Sequence, residues 1–222
     1  MKQIPPTVAL LLICQTVRAQ PKLDVAFKGG VDAATQEREF RVNRYGFSGG
    51  LSGDLQWMVS DNVSLGAQAE LLYTQRGAKV MFEGEEAGQI RSNYVDLVLG
   101  VRPQAGCGAI SVYALNGGSL NVLTNASRDD AAGPDQDITE GLHRVDVAVL
   151  GAAGVALQLP SSDASMFRLG TVFVEARHDI GLLDVDRSGG FKNRTSSVML
   201  GLSFVVGGKS APDRPASQVA VP

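Results

Sequence analysis

The closing stretch "NRTSSVMLGLSFVV" limits what this chain can fold into more than any other feature. Val198, Leu200, Leu202 and Phe204 share one parity, while Ser197, Met199, Gly201 and Ser203 share the other. Alternation at period two places each set on its own side of an extended strand. Eight segments carry this signature between turn formers: Lys22 to Val31, Tyr45 to Trp57, Val63 to Gln75, Ser92 to Arg102, Ala109 to Val122, Val145 to Leu159, Leu169 to Ile180 and Asn193 to Val206. The sixth, "VDVAVLGAAGVALQLP", has a continuous apolar run that a buried helix would share. Its glycine spacing and the even-numbered Asp146 and Gln158 favour a strand.

Connections after the first, third, fifth and seventh segments are long and polar ("DAATQEREFRVN", "RGAKVMFEGEEAGQI", "LTNASRDDAAGPDQDITEGLH", "GLLDVDRSGGFK"). Those after the second, fourth and sixth are shorter ("MVSDN", "PQAGCG", "PSSDASMFR"). Long and short connections therefore collect at opposite ends of an up-and-down meander.

One parity of the segments carries Lys28, Asp54, Glu70, Asp96, Arg102, Asp146, Glu175, Arg177 and Asp179, together with Gln56, Gln68 and Gln158. The other carries Val, Leu, Ile and Phe with no charge inside the strands, and it places Tyr45, Phe47, Trp57, Tyr73 and Phe204 toward segment ends. A soluble barrel turns its apolar face inward; a membrane barrel turns that face to lipid and rings it with aromatics at both interfaces. Strands of about 9–11 tilted residues cross a bilayer, and most segments are at least that long. The sequence predicts an all-β, eight-stranded antiparallel up-and-down transmembrane β-barrel with a polar, side-chain-filled lumen. A soluble exported lipocalin-like binding barrel is the alternative fold.

The first residues, "MKQIPPTVALLLICQTVRAQ", combine a lysine, an apolar run from Val8 to Ile13 and small residues before Gln20. That pattern predicts a secretory signal cleaved after Ala19, since the run is far shorter than the roughly 20 residues of a spanning helix. Residues 20–207 are expected to form the barrel, and 208–222 ("GKSAPDRPASQVAVP") a flexible tail. After cleavage Cys107 stands alone, so no intrachain disulfide is expected. Charged residues make up 19% of the chain with a formal net charge of −3, which gives nucleic acid no basic surface to bind.

The stretch "GFSGGLSGDLQWMVSDNVSLGAQAELLYTQRGAKV" resembles the PorT-like outer-membrane β-barrel domain, at Gly46, Phe47, Gly50, Ser64, Leu65, Glu70, Leu71, Tyr73 and Gly77. The likeness extends to "YVDLVLGV" and to the closing strand. It implies a small eight-stranded protein of the Gram-negative outer membrane, in contact with its lipid and inserted by the barrel-assembly machinery. The closing strand resembles the signal that machinery reads at Gly201, Phe204 and Val206, with Met199 where a polar residue is usual.

Three functions fit such an object. The first is a non-enzymatic barrel, structural or partner-binding through four long external loops and an extracellular or envelope partner. The second is a narrow channel, although an eight-stranded barrel leaves an interior only wide enough for side chains. The third is a membrane-embedded lipid hydrolase or acyltransferase. That chemistry needs a base beside a nucleophile, and only His143 and His178 are available, the latter with Ser196 or Ser197 across the barrel seam. No catalytic residue, cofactor site or metal site is assigned: the remaining cysteine and two distant histidines make no ligand set. For Glu70, set among leucines, the reading is a luminal carboxylate partnered by Arg177 or Lys28.

Overall fold

A computed structural model describes residues 22–36, 41–83, 85–130, 134–160, 167–187, 190 and 192–206. The expected leader (1–19) and tail (208–222) lie outside the described residues. The strands are β1 (Lys22–Gln36), β2 (Arg41–Ser60), β3 (Val63–Phe82), β4 (Glu85–Cys107), β5 (Ile110–Asp130), β6 (Gln136–Asp137), β7 (Val145–Gln158), β8 (Phe167–Gly181) and β9 (Asn193–Val206). Every pairing is antiparallel, and all join chain neighbours except the closing pair, β1 with β9, and the step from β5 to β7 past β6. Of the nine strands among the described residues, β6 only adds two residues to the flank of β5, so eight close the ring. The alanine-rich segment of uncertain type is the strand β7.

Closure leaves no unpaired sheet edge around the ring, and it gives every strand an inner and an outer face. Alternation is complete: β3 reads exposed and buried in turn from Val63 to Thr74, and β9 reads buried and exposed from Asn193 to Leu200. The outer residues are apolar and open, among them Leu99 (59% exposed) and Leu200 (62%). More polar than apolar side chains are buried among the described residues, the inverse of a water-soluble protein. An apolar belt of this continuity is far larger than the patches soluble monomers expose.

Strands overrun the sequence-derived bounds at the end away from the termini, and the long loops expected there shrink accordingly. β3 and β4 stay paired as far as Phe82 and Glu85, with one bulge between Val80 and Met81, so most of "RGAKVMFEGEEAGQI" is hairpin. β1 runs to Gln36 and β2 begins at Arg41, and β5 continues to Asp130. The reason is a change of solvent. Beyond the apolar belt the outward positions become Lys79, Gln89 and Arg91 while Ala78 and Ile90 still point inward. Pairing continues, but polarity on the outer face hides the period that marks a lipid-facing strand. Salt bridges Lys79–Glu86 (2.6 Å) and Arg91–Asp129 (3.5 Å) stud that face.

Between β5 and β7 the chain folds back as a compact lobe containing β6 and a short 3-10 turn, Thr139–Gly141. Backbone bonds tie it down: Ile138 donates to Ala126, His143 to Val185 and Leu123 to Arg144. The exposed Asp137 carboxyl accepts from Thr139, which holds it below the ordinary carboxylate range.

Candidate functional site

The lumen can be followed up β3, whose inward residues are Gln68, Glu70, Leu72, Thr74 and Arg76. Polar, apolar and again polar layers succeed one another in that order. At the end that holds both termini, a vestibule of about 860 Å³ opens to solvent, lined in part by Asp24, Gln56, Gln104 and Gln158. On its wall Arg102 ion-pairs with Asp54 (2.5 Å) and lies over the Tyr113 ring, 3.9 Å from its centroid. Gln56 donates to Asp54 at 2.6 Å.

Above the vestibule sits a four-charge cluster. Glu70 accepts from Lys28, from Arg177 (2.6 Å) and from Gln68 (2.5 Å). Glu175 accepts from Lys28 (3.0 Å) and from the Tyr113 hydroxyl (3.1 Å), and its carboxylate is 3.2 Å from Arg177. Two cations face two anions, so the group is neutral, and all four side chains are at most 3% exposed. In such a dry place an unmatched charge costs several kcal/mol, whereas a closed set of charge-assisted bonds is tolerated.

Two aromatics seat this layer by lying flat on glycines of the neighbouring strand. An added Cβ at Gly201 would fall 2.0 Å from the Phe173 ring, and one at Gly154 would fall 2.3 Å from that of Tyr113. Glycine is required at both positions by close approach of the ring.

The next layer is apolar: Leu72, Val98, Leu115, Leu150 and Met199, with Ala152 against them. Met199, the departure noted in the closing strand, is 1% exposed and completes it. Beyond lies a second polar layer around Arg76, which donates to Asp96 at 2.7 Å beside the Thr74 hydroxyl, also 2.7 Å from Asp96. With its amide nitrogen turned toward Asp96 (3.1 Å), Asn121 accepts from Arg76 (3.2 Å). Asp179 and Asp32 border the same small cavity, Asp32 accepting from Ser48 at 3.0 Å. Asn193 donates to Asp146 and to the Tyr94 hydroxyl, both at 3.3 Å. Tyr94, Leu123, Ala126, Leu142 and Val185, with Ile138 of the lobe, then cap the far mouth.

The structure thus divides the nine residues proposed for a luminal network among three levels. Lys28, Glu70, Glu175 and Arg177 meet directly; Asp54 and Arg102 pair below them; Asp96, Asp146 and Asp179 lie above the apolar layer. Arg76 and Asp32, which organise the upper level, fall outside the sequence assignment because their stretches read as loop. Their parity would have found them had the strands been extended by a few residues.

Of the outward aromatics, Phe47 and Tyr73 touch at 5.8 Å with Tyr45 exposed nearby in β2. At the other end Phe204 meets Phe27 edge to face at 6.1 Å, and Trp57 stands near the end of β2. His178 faces outward and its Nδ1 lies 2.9 Å from the Ser196 hydroxyl. The outward neighbours of that pair along β8 and β9 are Ala176, Ile180, Val198 and Arg194, with no carboxylate to orient the ring. Cys107 is free and exposed beside the β4–β5 turn.

A closed strand ring with an apolar exterior and a layered, largely polar interior defines a transmembrane β-barrel. Residues 18–187 match the family of outer membrane protein beta-barrel domains, and the chain belongs to that family and to the bacterial outer membrane. No curated protein matches the sequence. Solved structures similar to it include Ail, the attachment invasion locus protein of Yersinia pestis (14% identity, 82% of this chain and 99% of that chain covered, TM-score 0.41). Neisserial surface protein A (14%, 81% and 95%, 0.43) and OprG from Pseudomonas aeruginosa (12%, 86% and 100%, 0.42) are others.

Proposed function

We propose that the protein is a non-enzymatic and non-conducting outer-membrane barrel that acts, structurally or on an envelope or extracellular partner, through its far end. The observation carrying this reading is the succession of closures in the lumen. The apolar layer around Leu115 and the cap around Tyr94 and Leu142 both interrupt any polar path, and the neutral charge cluster fills the level below. By the rule that short turns face the periplasm, the vestibule opens inward, and the overrunning strands and the β5–β7 lobe project outside the cell. The acting surface is then the extended hairpins and the lobe rather than four long loops. The aromatic groups serve as interfacial belts, outer-membrane lipid surrounds the strands, and the assembly machinery inserts the barrel through β9. The narrower PorT-like kinship rests on the Gly46-to-Gly77 motif, on "YVDLVLGV" and on the closing strand.

Planar-bilayer recording of the refolded protein tests the closure. Bilayers into which protein has been shown to insert are expected to stay electrically silent. Stable unitary currents would overturn the non-conducting reading.

A further inference from the structure

From the middle of the lipid-facing belt we infer a homodimer contact built on Asn116. Outward residues on β5 read Ile110, Val112, Ala114, Asn116, Gly118, Leu120 and Val122, which places one amide at the centre of an apolar series. On β7 the matching series is Val145, Val147, Val149, Gly151, Ala153, Val155 and Leu157, with Gly151 central and paired to Asn116. The opposite neighbour of Asn116 is Val101 of β4.

Asn116 is exposed and has no hydrogen-bond partner among the described residues. Several other outward polar groups are provided for. Asn93 donates to Asn125 at 2.7 Å, Thr124 donates to the Asn93 carbonyl at 2.9 Å, and His178 is bonded to Ser196. Asn116 lies deeper than these, where acyl chains offer neither donor nor acceptor and an unmet amide is costly.

A second copy answers this need better than any other occupant. Two barrels inserted the same way are related by a two-fold axis along the membrane normal, so every residue meets its own depth in the partner. An amide carries donor and acceptor together, and two of them facing across the axis satisfy each other. The surroundings permit the approach. Ala114, Gly118, Gly151 and Ala153 make the wall low on both sides, and an added Cβ at Gly151 would sit 3.8 Å from the Asn116 side-chain oxygen. Small residues beside a polar one are how surfaces associate in lipid, where burial from water supplies no drive.

The test uses the full chain in native outer membranes, with Cys107→Ser and Ala153→Cys and a short membrane-permeant bismaleimide. A crosslinked species of twice the protein's mass is expected from Ala153→Cys and not from Leu51→Cys, on the opposite wall in β2. Adding Asn116→Leu should lower the crosslinked fraction at least about fivefold, and Asn116→Gln should preserve most of it. Heat-modifiable gel mobility of each variant verifies that it is folded, and Ala114→Cys replaces any crosslinking variant that is not. No crosslink, equal crosslinking at Leu51→Cys, an adduct of another mass, or a crosslink indifferent to Asn116→Leu would each overturn the proposal.

Discussion

Replacing Glu70 with glutamine changes the charge at the tightest point of the lumen without changing the size of the side chain. Native Glu70 and Glu175 balance Lys28 and Arg177; the variant leaves two cations against one anion, all of them buried. Removing one partner of a buried ion pair costs about 3–5 kcal/mol. The lower end applies, because Glu175 still lies 3.0 Å from Lys28 and 3.2 Å from Arg177. At roughly 2–4 °C per kcal/mol for a chain of this size, about 3 kcal/mol lowers the unfolding midpoint by about 6–12 °C. The assay is the heat-induced loss of fast-migrating folded protein on gels run in mild detergent. Restoring neutrality by adding Lys28→Met should recover part of the loss, since one cation then faces one anion. An unchanged midpoint in the single variant, or a double variant weaker than the native protein by the full sum of the two separate losses, would refute the reasoning.

Other layers respond through other terms. Met199→Ala opens a hole beside Leu72, Val98, Leu115 and Leu150, and the same gel midpoint should fall by an amount equivalent to about 2–5 kcal/mol. Gly201→Val drives a side chain into the space the Phe173 ring occupies, a loss of about 1–3 kcal/mol, and Phe173→Ala in that background should relieve part of it.

Period two carried most of the fold, because burial in a barrel wall is decided residue by residue and a lipid-facing position admits few polar side chains. Val198, Leu200 and Leu202 announce the outer wall without help from any distant part of the chain. The signal fails where the outer solvent changes: at Lys79, Gln89 and Arg91 both faces can be polar, and paired strand there looks like loop. Arg76 is lost to the reading for that reason, and with it the centre of the upper polar layer.

Partnership across the lumen was only partly legible. Parity says that Glu70 points inward, and the short supply of inward cations narrows its partners, but which of them reach it depends on stagger around the ring. The division into levels is a property of that stagger too. Leu72, Val98, Leu115, Leu150 and Met199 come from five strands at unrelated sequence spacings, so no local pattern announces an apolar layer. The cap is further from reach, since it joins Ile138 and Leu142 of the lobe to Val185 across the mouth.

Fractionation of the native host's envelope, followed by gels of heated and unheated outer membranes, tests the central claim of an apolar wall facing lipid around a packed lumen. The account predicts that the protein sediments with the outer membrane, resists extraction by alkaline carbonate, and shifts its mobility on heating as the closed barrel opens. Protein recovered in the soluble periplasmic fraction, with one mobility at all temperatures, would contradict it.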